Sequence, residues 1–159
     1  MHNFDYVVVG AGSAGSALAN RLSESGKFTV CLLEAGGSDK KFWVQMPLGY
    51  GKVFHDPSVN WRYMTEPEPN LDNQSVYWPR GKVLGGSSSI NAMVWVRGHK
   101  RDYDEWNSVA PGWGWDNVQK IFNRIENWDG TSDVSRGMNG PQAVHDVSSD
   151  VHPLTISYL

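Results

Sequence analysis

The feature that most constrains this chain is a glycine-rich turn near its start, placed directly after a short apolar run. Tyr6–Val9 is β-branched and aromatic, as expected for a buried parallel strand, and the run stops at Gly10. Gly10, Gly12 and Gly15 then form the pattern G-x-G-x-x-G. The first glycine permits a tight turn, the second lets a diphosphate approach the backbone, and the third lets a helix pack on the strand. The sequence therefore predicts a strand, a turn and a helix that together bind a dinucleotide.

The residues that follow complete a βαβ unit. We predict a helix over residues 13–25, with Leu18 and Leu22 facing inward, and a second strand over 28–33. The free N–H groups and positive dipole at the start of that helix favour a pyrophosphate. Glu34 ends the second strand, where such a fingerprint has its acceptor for a ribose 2′-hydroxyl. A carboxylate there repels a 2′-phosphate, so Glu34 disfavours NADP and leaves FAD or NAD.

Composition excludes several other classes of protein. The chain has 159 residues and a net charge of -3, with its cationic residues scattered, so we expect no nucleic-acid partner and no polybasic membrane contact. It shows neither a basic leader nor an apolar run long enough to span a bilayer, and we expect a cytoplasmic protein. Cys31 is the single cysteine and is expected to be buried. No metal-ligand spacing is present, and no metal is predicted.

The rest of the chain predicts mixed structure. Residues 42–60 are predicted to form an irregular segment that lies over a bound cofactor. Residues 61–65 and 76–78 are predicted to form a small antiparallel pair of strands. Asp116 is a plausible N-cap for an amphipathic helix with its apolar face at Val118, Ile121, Phe122 and Ile125. A strand over 142–147 and a helix beginning at His152 complete these expectations.

A second motif with chemical content covers residues 79–91. Gly85 and Gly86 precede three serines, whose backbone N–H groups and hydroxyls offer a nest for anionic or carbonyl oxygens. Arg80 and Lys82 add positive charge. On composition alone the stretch could be a flexible linker, although linkers of this kind seldom carry apolar anchors such as Leu84 and Ile90.

These elements predict an α/β protein with a Rossmann-like dinucleotide-binding domain for FAD or NAD. Its doubly wound parallel sheet is incomplete as written, because the chain supplies one clear βαβ unit, and irregular loops cover the site. The rest of a longer polypeptide is then needed to complete the fold.

The motifs resemble the glucose-methanol-choline (GMC) oxidoreductase family. The opening glycines with residues 33–37 look like the family's FAD-binding start, and residues 81–91, continuing through Trp95, Gly98 and Asp104, look like its first signature. The resemblance covers essentially the whole chain. It implies a Rossmann-like FAD-binding domain whose N-terminal portion is residues 1–140, followed at 141–159 by the truncated start of a substrate-binding domain. By position it implies a set of cofactor-binding residues: Gly10, Gly12, Ser13, Ala14, Gly15, Glu34, Ala35, Arg80, Val83, Gly85, Gly86, Ser87, Asn91, Ala92, Met93 and Val94.

The resemblance also implies a reaction. Family members oxidise an alcohol to a carbonyl, with hydride passing to flavin N5 and then to oxygen or another acceptor. A hydroxynitrile lyase on the same FAD scaffold is the alternative, and a stand-alone NAD-binding module is a third. Some members attach the flavin to a histidine where this chain has Ile90, so we predict non-covalent FAD.

No catalytic residue is predicted within the chain. The family's catalytic histidine and its His or Asn partner lie near the C-terminus of a longer chain, and nothing in this sequence corresponds to them. Its five histidines sit in no motif with an orienting carboxylate, and we expect them to be ordinary loop or surface residues. The chain on its own is therefore expected to be inactive.

Overall fold

The computed structural model describes residues 3–131, 133–148 and 151. The chain divides into two compact units, one ending at Val94 and the other starting at Trp95. The boundary near residue 140 between a cofactor domain and a substrate domain stays a prediction.

The first unit opens with the expected βαβ arrangement. Strand β1 (Tyr6–Val9) pairs in parallel with β2 (Val30–Leu33), and helix α1 (Ser13–Ser23) connects them and packs against both. The helix ends two residues earlier than predicted because the Gly26 N–H bonds back to the Ser23 carbonyl in a turn. The fold class and the parallel pair are confirmed.

The burial expected for these elements is wrong in part. Val8 is buried in β1, but Val9 is 83% exposed, and Leu18 on α1 is exposed as well. Cys31 on β2 is half-buried. The physical reason is that, among the described residues, β1 has β2 as its one strand neighbour, so much of the pair remains uncovered.

The segment after β2 is more regular than predicted. It contains the short helices α2 (Phe42–Gln45) and α3 (Tyr50–Val53), with a 3₁₀ turn at Pro47–Gly49 between them. Val53 and Val59 from this segment pack with Val83 and Ile90 as a buried apolar cluster. The segment thus holds the second motif in place instead of only covering it.

The predicted antiparallel pair is present in a shorter form. Strand β3 (Tyr63–Met64) pairs with β4 (Tyr77–Trp78), and a 3₁₀ turn at Pro69–Leu71 lies in the loop between them. A further 3₁₀ helix, Gly86–Ser89, follows the paired glycines.

The second unit contains two helices and a short parallel pair. Helix α4 spans Lys100–Val109 and α5 spans Trp115–Ile125, followed by β5 (Glu126–Trp128) and β6 (Gln142–Val144). Strand β5 was not predicted, and β6 is shorter than expected. The N-cap assignment was wrong, because Gly114 caps α5 and Asp116 lies in its first turn. The helix predicted to begin at His152 lies outside the described residues.

Candidate cofactor site

The site begins with a carboxylate that ties the glycine turn to the end of β2. The Ala11 N–H donates to Glu34 Oε2 and the Gly36 N–H donates to Glu34 Oε1, both at 2.8 Å. A carboxylate oxygen has two lone-pair directions, so each oxygen keeps acceptor capacity for a hydroxyl. Glu34 therefore fixes the turn and can still accept from a ribose.

The third fingerprint glycine is required by close packing. A Cβ on Gly15 would overlap the carbonyl oxygen of Gly10, which itself has a φ of +93°. Helix α1 can therefore approach the end of β1 only because position 15 has no side chain.

The two glycine motifs meet, although 75 positions separate Ser13 from Ser88. A Cβ on Gly86 would lie 2.8 Å from Gly12 Cα, and Gly86 has a φ of +57°. The Gly85 N–H donates to the Ala11 carbonyl at 2.8 Å, and the hydroxyls of Ser13 and Ser88 share a hydrogen bond. The second motif is thus part of the wall around the first and not a free linker.

Backbone bonds on two sides hold the second motif. The Lys82 N–H donates to the Val59 carbonyl at 2.7 Å, and the Leu84 N–H donates to the Gly37 carbonyl at 2.9 Å. A Cβ on Gly36 would overlap the Lys82 carbonyl group, so this contact also depends on a glycine.

Asn60 organises one side of the motif and was not predicted as a site residue. It is 2% exposed, and its Oδ1 accepts from the N–H groups of Arg62 at 2.9 Å and Arg80 at 3.0 Å. Its Nδ2 donates to the Phe54 carbonyl at 2.8 Å and to the Tyr77 hydroxyl at 3.3 Å. A buried amide with all its bonding capacity in use acts as a structural bracket. Single-sequence patterns carry no signal for such long-range partners.

A cleft of about 650 Å³ lies over the meeting point of the two motifs. It brings together seven of the predicted cofactor residues: Gly10, Gly12, Glu34, Ala35, Arg80, Gly86 and Ser87. Trp61 and Tyr63, which stack in parallel with ring centres 5.9 Å apart, also line it and were not predicted. An adjacent cleft of about 310 Å³ shares Arg80 and Ser87 and is lined by the predicted residues Asn91 and Ala92.

The other predicted residues lie around these clefts in different roles. Gly15 and Gly85 make the close backbone approaches already described. The Val83 side chain is fully buried in the apolar cluster, so only the backbone of this residue could contact a ligand. Met93 has a φ of +59° and its N–H donates to Asn91 Oδ1. Ser13 and Ala14 open α1, and Val94 is exposed at the end of the unit.

The electrostatics of the main cleft favour an anion. Gly12 caps α1 without any capping side-chain bond, and the first turn of the helix has no acidic residue. The N–H groups of that turn are therefore available, and the helix dipole adds positive potential. Arg80 supplies a formal positive charge and stacks on the Trp78 ring at 4.9 Å. The arrangement can bind a pyrophosphate beside a hydroxyl-bearing sugar.

In the second unit, a buried acid forms a separate charged cluster. Glu126 is 0% exposed, and its Oε2 accepts from Trp95 Nε1 at 2.8 Å and from Arg97 Nη2 at 2.9 Å. Arg136 Nε lies 2.9 Å from its Oε1. Burial alone would raise the pKa of Glu126, but the hydrogen bonds from Arg97 and Trp95 and the two guanidinium charges hold that pKa below its ordinary value.

One histidine does have a carboxylate partner, contrary to expectation. His145 Nδ1 bonds with Asp129 Oδ2, and the Asp146 N–H donates to Asp129 Oδ1 at 2.8 Å. The hydrogen bond from His145, followed by that from the Asp146 backbone, lowers the pKa of Asp129. Local sequence patterns did not indicate the pair, because the two residues lie 16 positions apart and meet only where β5 and β6 end.

Among the residues that the structure describes, no helix is both long and apolar enough to cross a membrane.

Comparison with known proteins identifies the scaffold. The family model for GMC oxidoreductase matches residues 4–156. An oxygen-dependent choline dehydrogenase of Vibrio vulnificus is 51% identical over 140 residues, which is 87% of this chain and 25% of the relative. Pyridoxine 4-oxidase from Mesorbium loti superposes with a TM-score of 0.90 at 35% identity, covering 98% of this chain and 31% of that one. Formate oxidase of Aspergillus oryzae has a TM-score of 0.79 at 29% identity, covering 89% of this chain and 26% of that one.

The chain thus spans about a quarter of the length of the curated relative with which it aligns. The predicted resemblance, the FAD-binding fold and FAD as the cofactor are confirmed. With the family model covering nearly all of its length, this chain belongs to the GMC oxidoreductase family.

Proposed function

We propose that this chain holds the ADP and pyrophosphate part of FAD in an enzyme that oxidises an alcohol to a carbonyl. The observation that carries the proposal is the single cleft over which both glycine motifs, Glu34 and Arg80 converge. When bound, FAD supplies the hydride acceptor at flavin N5.

Different residues of the cleft bind different parts of the cofactor. The N–H groups at the start of α1 and the Arg80 guanidinium face the pyrophosphate charge, and the remaining lone pairs of Glu34 accept from the ribose hydroxyls. The same carboxylate repels a 2′-phosphate. Asn91 and Ala92 line the adjacent cleft, where the flavin half is placed.

The flavin is held without a covalent bond. The position that carries histidine in covalently linked family members is Ile90, which is 3% exposed and packed with Val53, Val59 and Val83. A buried aliphatic side chain supplies no nucleophile for attachment.

The substrate is an alcohol and the electron acceptor is oxygen. The support comes from the relatives, whose names include an oxygen-dependent choline dehydrogenase and a pyridoxine 4-oxidase. The hydroxynitrile lyase alternative gains no support from these names. The base that takes the hydroxyl proton lies outside the chain described, in the part of the relatives that the match leaves uncovered.

The experiment is a flavin-content measurement on the full-length protein with Gly86→Ala. A Cβ there would crowd Gly12 Cα at 2.8 Å and occupy a φ of +57°, so the cleft floor must shift. We expect the affinity for FAD to fall by roughly tenfold, which corresponds to about 1.4 kcal/mol in binding, and the flavin content per polypeptide to fall with it. Flavin is released by acid precipitation, and colour in the supernatant is the result that a non-covalent cofactor requires.

Gly51→Ala is the matched control. It lies in α3, a Cβ there meets nothing within 4 Å, and the change should leave flavin content unchanged. Equal flavin content in both variants would contradict the proposed site, and colour retained in the pellet would contradict the non-covalent assignment.

A further inference from the structure

A separate cleft of about 460 Å³, here called the Lys82 cleft, is not used by the proposed function. Its lining consists of Pro57, Asn60, Trp61, Arg62, Met64, Tyr77 and Lys82. Two of these seven residues are cationic and none is acidic, so the lining has an uncompensated positive charge. Trp61 lines both this cleft and the cofactor cleft.

The neutral polar groups of the Lys82 cleft are already engaged. Asn60 uses its amide on Phe54, Tyr77 and the backbone of Arg62 and Arg80, and the Tyr77 hydroxyl donates to the Phe54 carbonyl. These groups are therefore not available as the principal donors for a ligand.

The two cations, by contrast, have no anionic partner within the part of the chain that is described. Lys82 is half-buried, and its Nζ lies 4.6 Å from the centre of the Trp61 ring. This cation–π contact does not neutralise the ammonium charge and uses no conventional hydrogen-bond acceptor. The Arg62 guanidinium forms neither an ion pair nor a side-chain hydrogen bond with the described residues. A half-buried ammonium without a counter-charge is costly, and an incoming anion removes that cost.

The backbone that carries Arg62 is held in an uncommon conformation. Its φ is +59°, a left-handed value that costs a non-glycine residue about 1 kcal/mol or more. The bond from the Arg62 N–H to Asn60 Oδ1 at 2.9 Å and the bond from the Trp61 N–H to the Arg80 carbonyl at 2.9 Å fix it there. Buried Asn60 therefore keeps Arg62 beside Lys82, in the lining of one cleft.

We infer that the Lys82 cleft binds a small oxyanion, either a phosphate or a carboxylate. The planar fork of Arg62 suits two oxygens of such a group, and Lys82 adds a point charge. Resting on the proposed function, occupancy is coupled to FAD binding, because Trp61 lines both clefts and Lys82 directly follows Gly81 of the cofactor cleft. Such coupling is reciprocal, so bound FAD and the bound anion change each other's affinity by the same factor.

The experiment is a calorimetric titration of the full-length, FAD-loaded protein with inorganic phosphate, and separately with acetate, at ionic strength held constant with chloride. We expect saturable binding of one of the two anions, which identifies the oxyanion class. Lys82→Gln and Arg62→Gln should each weaken that binding by at least about tenfold, the size expected for removal of a charge-assisted bond. Lys52→Gln, which changes an exposed lysine of α3 outside the cleft, should leave it unchanged.

The absence of saturable binding for both anions would overturn the inference, as would an unchanged affinity in both cleft variants. Repeating the titration after removal of the flavin separates anion binding itself from its coupling to FAD. An anion affinity that changes when FAD is removed supports the coupling, and an equal affinity rejects it. Because the emptied cofactor cleft can itself take up phosphate, only the binding that Lys82→Gln or Arg62→Gln weakens is assigned to the Lys82 cleft in the flavin-free protein.

Discussion

At the scale of single residues, the most consequential side chain outside the cofactor cleft is Glu126. It is fully buried between Arg97 and Arg136, and the Trp95 indole supplies a further donor. Loss of one member of such a buried pair leaves the other charges uncompensated, and this costs more than the pair itself contributes. Glu126 is therefore a stability determinant of the second unit.

The first prediction concerns Glu126→Gln in the full-length protein. We expect the free energy of unfolding at pH 7 to fall by roughly 3 kcal/mol, because two guanidinium groups lose their carboxylate. The folded-state pKa of Glu126 is lowered, so its contribution is present above the unfolded pKa and lost as pH falls through the folded pKa. Urea denaturation should thus show the two proteins converging below about pH 4.3, the ordinary pKa of glutamate.

The matched control is Glu105→Gln, which removes an exposed ion pair of similar length. Glu105 lies 2.9 Å from Arg101 on α4, but both side chains are mostly in solvent. Such pairs contribute ~0–1 kcal/mol, so a small effect is expected. Equal losses in the two variants, or a difference that persists at low pH, would contradict the role assigned to Glu126.

At the scale of secondary-structure elements, local patterns predicted the parts of the fold that depend on local chemistry. Gly10 and Gly15 fix the turn between β1 and α1, and local reasoning can predict them because Gly10 has a φ of +93° and a Cβ on Gly15 would overlap the nearby Gly10 carbonyl. The contact between Gly12 and Gly86 could not be predicted from spacing, since it depends on how distant segments fold together.

The elements that were missed are short and held by tertiary contacts. Helices α2 and α3 have four residues each, too few to show a helical period, and Pro47 stands between them. Strand β5 follows α5 without a break, and its pairing with β6 fixes it. The partners of Asn60 and Glu126 were missed for the same reason, since those partners come from several separate segments.

The prediction that belongs to this scale is Gly15→Ala in the full-length protein. The added Cβ would overlap the Gly10 carbonyl oxygen, so α1 must move away from β1. Overpacking of this kind costs ~1–3 kcal/mol, and we expect both the urea midpoint and the flavin content to fall. Gly51→Ala is again the control, because a Cβ there meets nothing within 4 Å and Gly51 lies in α3, outside the cofactor cleft. Unchanged stability and flavin content in Gly15→Ala would show that the helix does not need the close approach.

At the scale of the whole molecule, the described chain leaves apolar surface on its parallel pair. Val7, Val9 and Leu33 on β1 and β2 are exposed, and the match to the curated relative covers about a quarter of that relative. We still predict that the rest of a longer polypeptide completes the fold. The domain boundary near residue 140 also stays a prediction.

The described histidines are the candidates within this chain for the base that the proposed reaction needs. His55 stacks on Tyr77, His99 caps α4 by accepting from the Arg101 N–H, and His145 bonds with Asp129. Each of the three has a structural contact within its own unit. Of these three described histidines, only His145 has the orienting carboxylate that a general base needs, so it is the one to test.

The last prediction is that His145→Ala leaves turnover nearly intact in the full-length enzyme. His145 is 72% exposed, a poor setting for a base that must act beside a flavin in a water-excluded site. Removal of a true general base lowers kcat by ~10²–10⁴, whereas we expect a change within about threefold at saturating alcohol. His99→Ala serves as the control for loss of a structural histidine, with a cost of ~1 kcal/mol in stability and no effect on kcat. A hundredfold loss confined to His145→Ala, with normal flavin content, would place the proton-transfer base within this chain and reject its assignment to the unmatched part of the relatives.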